Sequence, residues 1–128
     1  MAAVTQPVNI STFKAGGTIR KFRFVALSAN GTVTECGANG RAIGIHQGDE
    51  SVSSGEFLDV ALPGGGAKLE VGEACAVGKL LTSTSAGKGE IADAAGEYVG
   101  AIAFEAGGAD GDVIGVRVVA FQASGSDA

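Results

Sequence analysis

Tryptophan is absent from this chain, and tyrosine, histidine and methionine occur once each. Each scarcity excludes something. Sugar sites are commonly built on stacking aromatic faces, and Tyr98 alone is a poor start for one. A metal centre needs several His, Cys or acidic ligands at suitable spacing, and His46 has no second histidine to work with. The two cysteines, Cys36 and Cys75, form neither a disulfide framework nor a metal motif and read as free thiols. Nine Lys and Arg against fourteen Asp and Glu leave a net charge of −5, the wrong sign for gripping a phosphate backbone. The one basic knot, Arg20, Lys21 and Arg23, reads as a solvated face. No nucleic-acid partner is therefore expected. No apolar run is long enough to cross a bilayer as a helix, so no membrane partner is expected either. The opening MAAVTQPVNIST has neither a positive n-region nor a long apolar h-region, and no secretory signal is expected.

What the chain has in quantity is glycine: 22 of 128 residues, against two prolines and without the strict period of collagen. That composition fits many tight turns between short strands. Large apolar side chains number 32 (13 Val, 7 Ile, 6 Leu, 6 Phe), so much of the 45% hydrophobic content is alanine. A chain of this length is one domain, or two halves sharing a core. Its core is lean, which favours help from a partner surface or sister subunits.

One stretch occurs twice. RAIGIHQGDESVSSGEFLDVAL begins at Arg41 and EYVGAIAFEAGGADGDVIGVRV at Glu97. A shift of 56 positions lays Gly44 on Gly100, Gly55 on Gly111, Glu56 on Asp112, and Leu58, Val60 and Leu62 on Ile114, Val116 and Val118. Ile43 and Ile45 fall on Val99 and Ala101. Self-similarity at a fixed period is a fold-level signal, and two copies indicate a duplicated β unit.

Residues 1–18 show no apolar period and contain Pro7 and Gly16-Gly17, so an extended N-terminal arm is expected there. From Ile19 to Leu27 apolar and polar residues alternate, predicting a strand. Asn30-Gly31 is a hairpin signal, with a return strand from Thr32. Pro63-Gly64-Gly65-Gly66 is the clearest break and marks the joint between units of about 19–66 and 67–121. The longest strand is expected over Val113 to Phe121, and a flexible tail over 122–128. Short strands at even spacing with no helical period predict an all-β fold, a small glycine-rich sandwich or barrel.

No residue set earns a catalytic role. His46 falls on Ile102 in the repeat, so a structural role is favoured. The serines lie in turn-like stretches, and no G-x-S-x-G elbow occurs. GEACAVGKL has Leu80 where a P-loop needs Ser or Thr. Asp110 and Asp112, in GGADGD, are turn acids before they are cation ligands; Glu56 and Asp112 each follow a turn glycine, which a duplicated turn explains better than an acid–base dyad. No cofactor is expected.

A soft N-terminal arm, then VALS, GTV, AIGI and GEFLDVAL, then a second GEI, YVGAIA and GDVIGVRV, resembles the capsid cement or decoration proteins of tailed bacteriophages over residues 19 to 121. The resemblance implies a small β-rich protein without enzymatic activity. It would bind the exterior of the phage head, after assembly in the host cytoplasm, contacting the major capsid protein as a homo-oligomer, typically a trimer. The residues placed at the capsid contact are Val8, Ile10 and Phe13, the apolar anchors of the arm, which could equally pack back on the body. A reading from another class, a soluble module of a tail or adhesin binding a glycan or small ligand, stands beside it.

Overall fold

The computed structural model describes residues 9–48 and 50–123. Ten strands run along the chain: β1 (Ile10–Ala15), β2 (Phe24–Ala29), β3 (Thr32–Glu35), β4 (Gly44–His46), β5 (Phe57–Ala61), β6 (Gly66–Glu70), β7 (Leu80–Ser83), β8 (Gly89–Ile91), β9 (Tyr98–Ala103) and β10 (Val113–Gln122). Among the described residues there is no helix, and the all-β expectation holds.

The first five strands close into a barrel in the order β1-β3-β2-β4-β5, with β5 returning to β1. The second five form a sheet in the order β6-β10-β9-β7-β8. A parallel bridge between Val71 and Gly89 brings its two edges together. Pro63 to Gly65, with Gly64 at φ 101°, form the turn between β5 and β6.

The duplication is carried in the hydrogen-bond ladders. Lys14 pairs with Phe57 as Glu70 pairs with Val113. Val25 pairs with Glu35 as Leu81 pairs with Ile91, and Ala15 pairs in parallel with Val33 as Val71 does with Gly89. Gly55 and Gly111 both take a left-handed backbone, φ 89° and 96°, which glycine adopts without strain. The acid after each then accepts from the turn: Glu56 from the Ser53 N–H at 2.6 Å, Asp112 from the Gly108 and Ala109 N–H groups at 2.7 and 3.2 Å.

Three expectations need correction. First, residues 10–15 are not an arm. They form β1, laddered to β5 from Ile10 to Lys14, so the first unit starts before residue 19. Second, β4 and β9 match with one extra residue of offset. Gly44 lies opposite Val25 where Ala101 lies opposite Leu81, so the counterpart of Gly44 is Ala101 and that of His46 is Ala103. The same step matches Ile45, which lies opposite Phe24, with Ile102, which lies opposite Leu80. Third, the alternation from Ile19 does not make one strand. Phe22 takes φ 59° at the position where the second unit has Gly78, and the chain turns before β2 begins.

Two layers of packing arise from strand alternation. Ala15, Ile19, Val25, Val33, Leu58 and Val60 fill the first barrel. Phe24 and Ile45 sit on the opposite faces of their strands and join Leu69, Leu81, Ile114 and Val116 in the larger cluster, which spans both units. Phe24 is the largest fully buried side chain. Its ring lies against Gly100, where an added Cβ would come within 2.5 Å of the ring.

Candidate functional site

Of the three anchors expected from the sequence, Val8 lies outside the described residues. The other two part company on β1. Phe13 and Ala15 point inward, and Phe13 packs half-buried against the filling of the first barrel. Ile10 points outward and is 43% exposed. The strand therefore leaves one apolar side chain to solvent and uses the other for folding. Asn9 ties the start of β1 to the joint: its carbonyl accepts from the Leu62 N–H at 2.6 Å and its Nδ2 donates to the Pro63 carbonyl at 3.0 Å.

Further exposed apolar side chains stand at matched places in the two units. Phe57, 68% exposed, opens β5, and Val113, 44% exposed, opens β10. In the ladders Phe57 faces Lys14 and Val113 faces Glu70.

The expected solvated basic face is dismantled by the fold. Arg20 makes a two-pronged pair with Glu35, Nε to Oε2 at 3.0 Å and Nη2 to Oε1 at 2.9 Å. Burial pushes the Glu35 carboxyl up, but its hydrogen bonds from the Arg20 side chain and N–H outweigh this and hold it below the usual glutamate range. Arg23 is buried between the units. Its Nη1 donates to the Ala86 carbonyl at 2.8 Å and its Nη2 meets Glu70 at 3.5 Å, while Lys88 links Glu70 at 3.5 Å to Asp110 at 2.7 Å. The Gln47 amide adds a second clamp, donating to the Lys68 carbonyl at 2.9 Å and accepting its N–H at 3.0 Å. Sequence reading missed this latch because its charges come from separate stretches that only the fold brings together. These bonds tie the two units to each other.

The residues weighed for chemistry have other engagements among the described residues. His46 is buried, and its Nδ1–H donates to the Arg20 carbonyl at 3.1 Å. No hydrogen bond joins its ring to a serine, threonine or cysteine among those residues. Asp110 is engaged with Lys88 and Asp112 with its own turn. Among the described residues no three His, Cys, Asp or Glu side chains gather as a metal ion would need. Cys36 and Cys75 are both free and buried, and burial pushes the Cys36 thiol up.

No protein-family model matches the chain, and no curated protein matches it. A solved structure does: the N base of head fiber gp8.5 of bacteriophage phi29, with a TM-score of 0.67 over 88% of this chain and 94% of that one, at 16% identity. In fold, the chain is similar to a phage head fiber base. Because one barrel is only about half of the chain, that coverage takes in both units and the way they are joined. At this identity the likeness is one of fold.

Proposed function

We propose that this protein is a structural component of a phage virion that binds the outside of the head and stabilises the capsid lattice. The observation that carries the reading is the likeness in fold to a head fiber base over nearly the whole of both chains. The surface is consistent with structural work: the chain is acidic and carries separate exposed apolar side chains on both units. The contact is made with the major capsid protein through Ile10 and the residues before it, Val8 among them, while Phe13 holds β1 in place. One exposed side chain of this size is worth roughly 1.5–3 kcal/mol when buried, too little alone to offset the entropy of association. Firm attachment therefore comes from several linked copies, a trimer being the simplest, since linking multiplies weak contacts.

The test is co-sedimentation of the purified protein with heads of its phage that lack it. Saturable binding to the outer surface at a fixed number of copies per head supports the reading. Absence of binding to expanded heads at any concentration contradicts it.

A further inference from the structure

The two units differ at one place on their walls. In the second, Glu105 follows Phe104, whose N–H donates to the Gly115 carbonyl at 2.9 Å, and the Glu105 carboxylate folds back to accept the Gly115 N–H at 2.5 Å. In the first, Gln47 makes the equivalent backbone bond to Asp59 at 3.0 Å. The next residue is Gly48, with no side chain to fold back. Beside Gly48, where a side chain would meet the His46 ring, lies a hollow of about 400 Å³.

The walls of that hollow have a consistent chemistry. Asp59 and Glu50 bring carboxylates, and Phe57 brings the most exposed large apolar side chain of the described chain. At the back is His46, 1% exposed. Its Nδ1–H is committed to the Arg20 carbonyl, which leaves Nε2 beside Gly48: a Cβ built there would lie 2.7 Å from it. In a neutral ring that second nitrogen is an acceptor, and among the described residues no donor meets it. Asp59 accepts from the Thr12 hydroxyl at 3.1 Å and keeps its other oxygen free of protein partners among those residues. Lining residues include no lysine or arginine. Three features thus converge: a His46 nitrogen that meets no donor among the described residues, carboxylates in no ion pair among them, and an aromatic wall beside them. Among the described residues these carboxylates do not form a three-ligand metal set, and the aromatic wall favours a cation carried on an organic side chain.

We propose that this hollow is a binding site for a lysine or arginine side chain presented by a partner protein. The charged head meets Asp59, Glu50 and the His46 Nε2, and the aliphatic stem or guanidinium plane lies on Phe57, an arrangement that aromatic faces favour. The site is separate from Ile10 and needs no head for its test.

The experiment is an amide and imidazole NMR titration of the full chain with N-acetyl-lysine amide and N-acetyl-arginine amide, and with N-acetyl-glutamine amide as the uncharged probe. Expected are saturable shifts at Gly48, Ser51, Phe57, Asp59 and the His46 ring with the cations only. Glu50→Gln combined with Asp59→Asn should weaken binding at least about ten-fold, and Glu50→Gln alone, at an exposed position, should weaken it by a smaller factor. Raising the salt should weaken the wild-type interaction in the same direction. Equal shifts with the glutamine probe overturn the proposal. So do shifts centred elsewhere, unchanged binding in Glu50→Gln and in a folded double variant, or no shifts up to about 100 mM probe, beyond the range of a useful contact.

Discussion

The backbone N–H of Ala15 donates to the Glu56 carbonyl at 2.7 Å, and Val71 does the same to Asp112 at 2.8 Å. Each of these pairs ties the first strand of a barrel to the turn that opens its last. The first strand is thus as integral to the front unit as β6 is to the rear one. Deleting residues 2–14 removes the β1–β5 ladder and the packing of Phe13, whose truncation alone is worth up to about 3 kcal/mol at a half-buried site. Against a total of roughly 5–15 kcal/mol, that variant is expected to unfold far earlier than the full chain in thermal or urea melts. Deleting only residues 2–8, ahead of the ladder, is expected to leave the melt nearly unchanged. Equal stability of the longer deletion would mean that β1 is dispensable.

The joint between barrels makes its own prediction. Phe24→Ala empties the shared cluster and is expected to cost about 3–5 kcal/mol. Gly100→Ala pushes a methyl into the same ring and is expected to cost about 1–3 kcal/mol. Because both act through one contact, Phe24→Leu and Gly100→Ala together should cost less than their separate effects added. Urea unfolding of the wild type, the two single variants and the double variant measures this coupling, and strict additivity would place the two residues in independent environments.

Acid stability should report the Arg20–Glu35 pair. The Glu35 carboxyl is held below its ordinary value of 4.5 in the folded protein. A carboxyl depressed by folding stabilises the native state above the unfolded-state value, and the gain is lost as pH falls through the folded value. Arg20 is half exposed, so solvent screening limits the pair to about 1 kcal/mol or less. The stability difference between wild type and Glu35→Gln should be present at neutral pH and shrink as the pH falls below the ordinary glutamate range. A difference that persists in acid would show that the glutamine perturbs something other than the ion pair.

A repulsive cluster gives the opposite sign. Burial first, and then the carboxylates of Glu73, Glu97 and Asp93, push the Glu90 carboxyl above the usual glutamate range. Its ionised form therefore lowers stability at neutral pH, and the penalty disappears as pH falls through the raised value. Glu90→Gln is expected to stabilise the protein at pH 7 by a few tenths of a kcal/mol, about the size of a surface charge effect. Added salt should shrink the difference, and a loss of stability would contradict the assignment.

Much of this architecture was legible because the repeat preserves the residues whose physics is most restrictive. Gly55 and Gly111 must turn left-handed, Glu56 and Asp112 must accept from the turns that precede them, and Leu58 and Val60 must fill the barrel as Ile114 and Val116 do. The first strand escaped because Ser11, Thr12 and Lys14 leave only a short apolar alternation. Yet the signal was there: carrying Lys68, Leu69 and Val71 back by the same offset lands on Thr12, Phe13 and Ala15. The one-residue step at β4 was hidden by a coincidence, since Gly44 and Gly100 are both close-packed glycines and align when the step is ignored. The burial of Arg23 could not be seen at all, since its partners Glu70 and Ala86 come from the other unit.

The head-stabilising role is tested most directly by the temperature at which DNA-filled heads lose their DNA, measured on heads lacking this protein and on the same heads after adding it. The account predicts a higher release temperature with the wild-type chain, and no rise with Ile10→Asp, an outward-facing change expected to shift the stability of the free protein by no more than about 0.5 kcal/mol. Heads that bind the protein at saturation but release DNA at an unchanged temperature would contradict it.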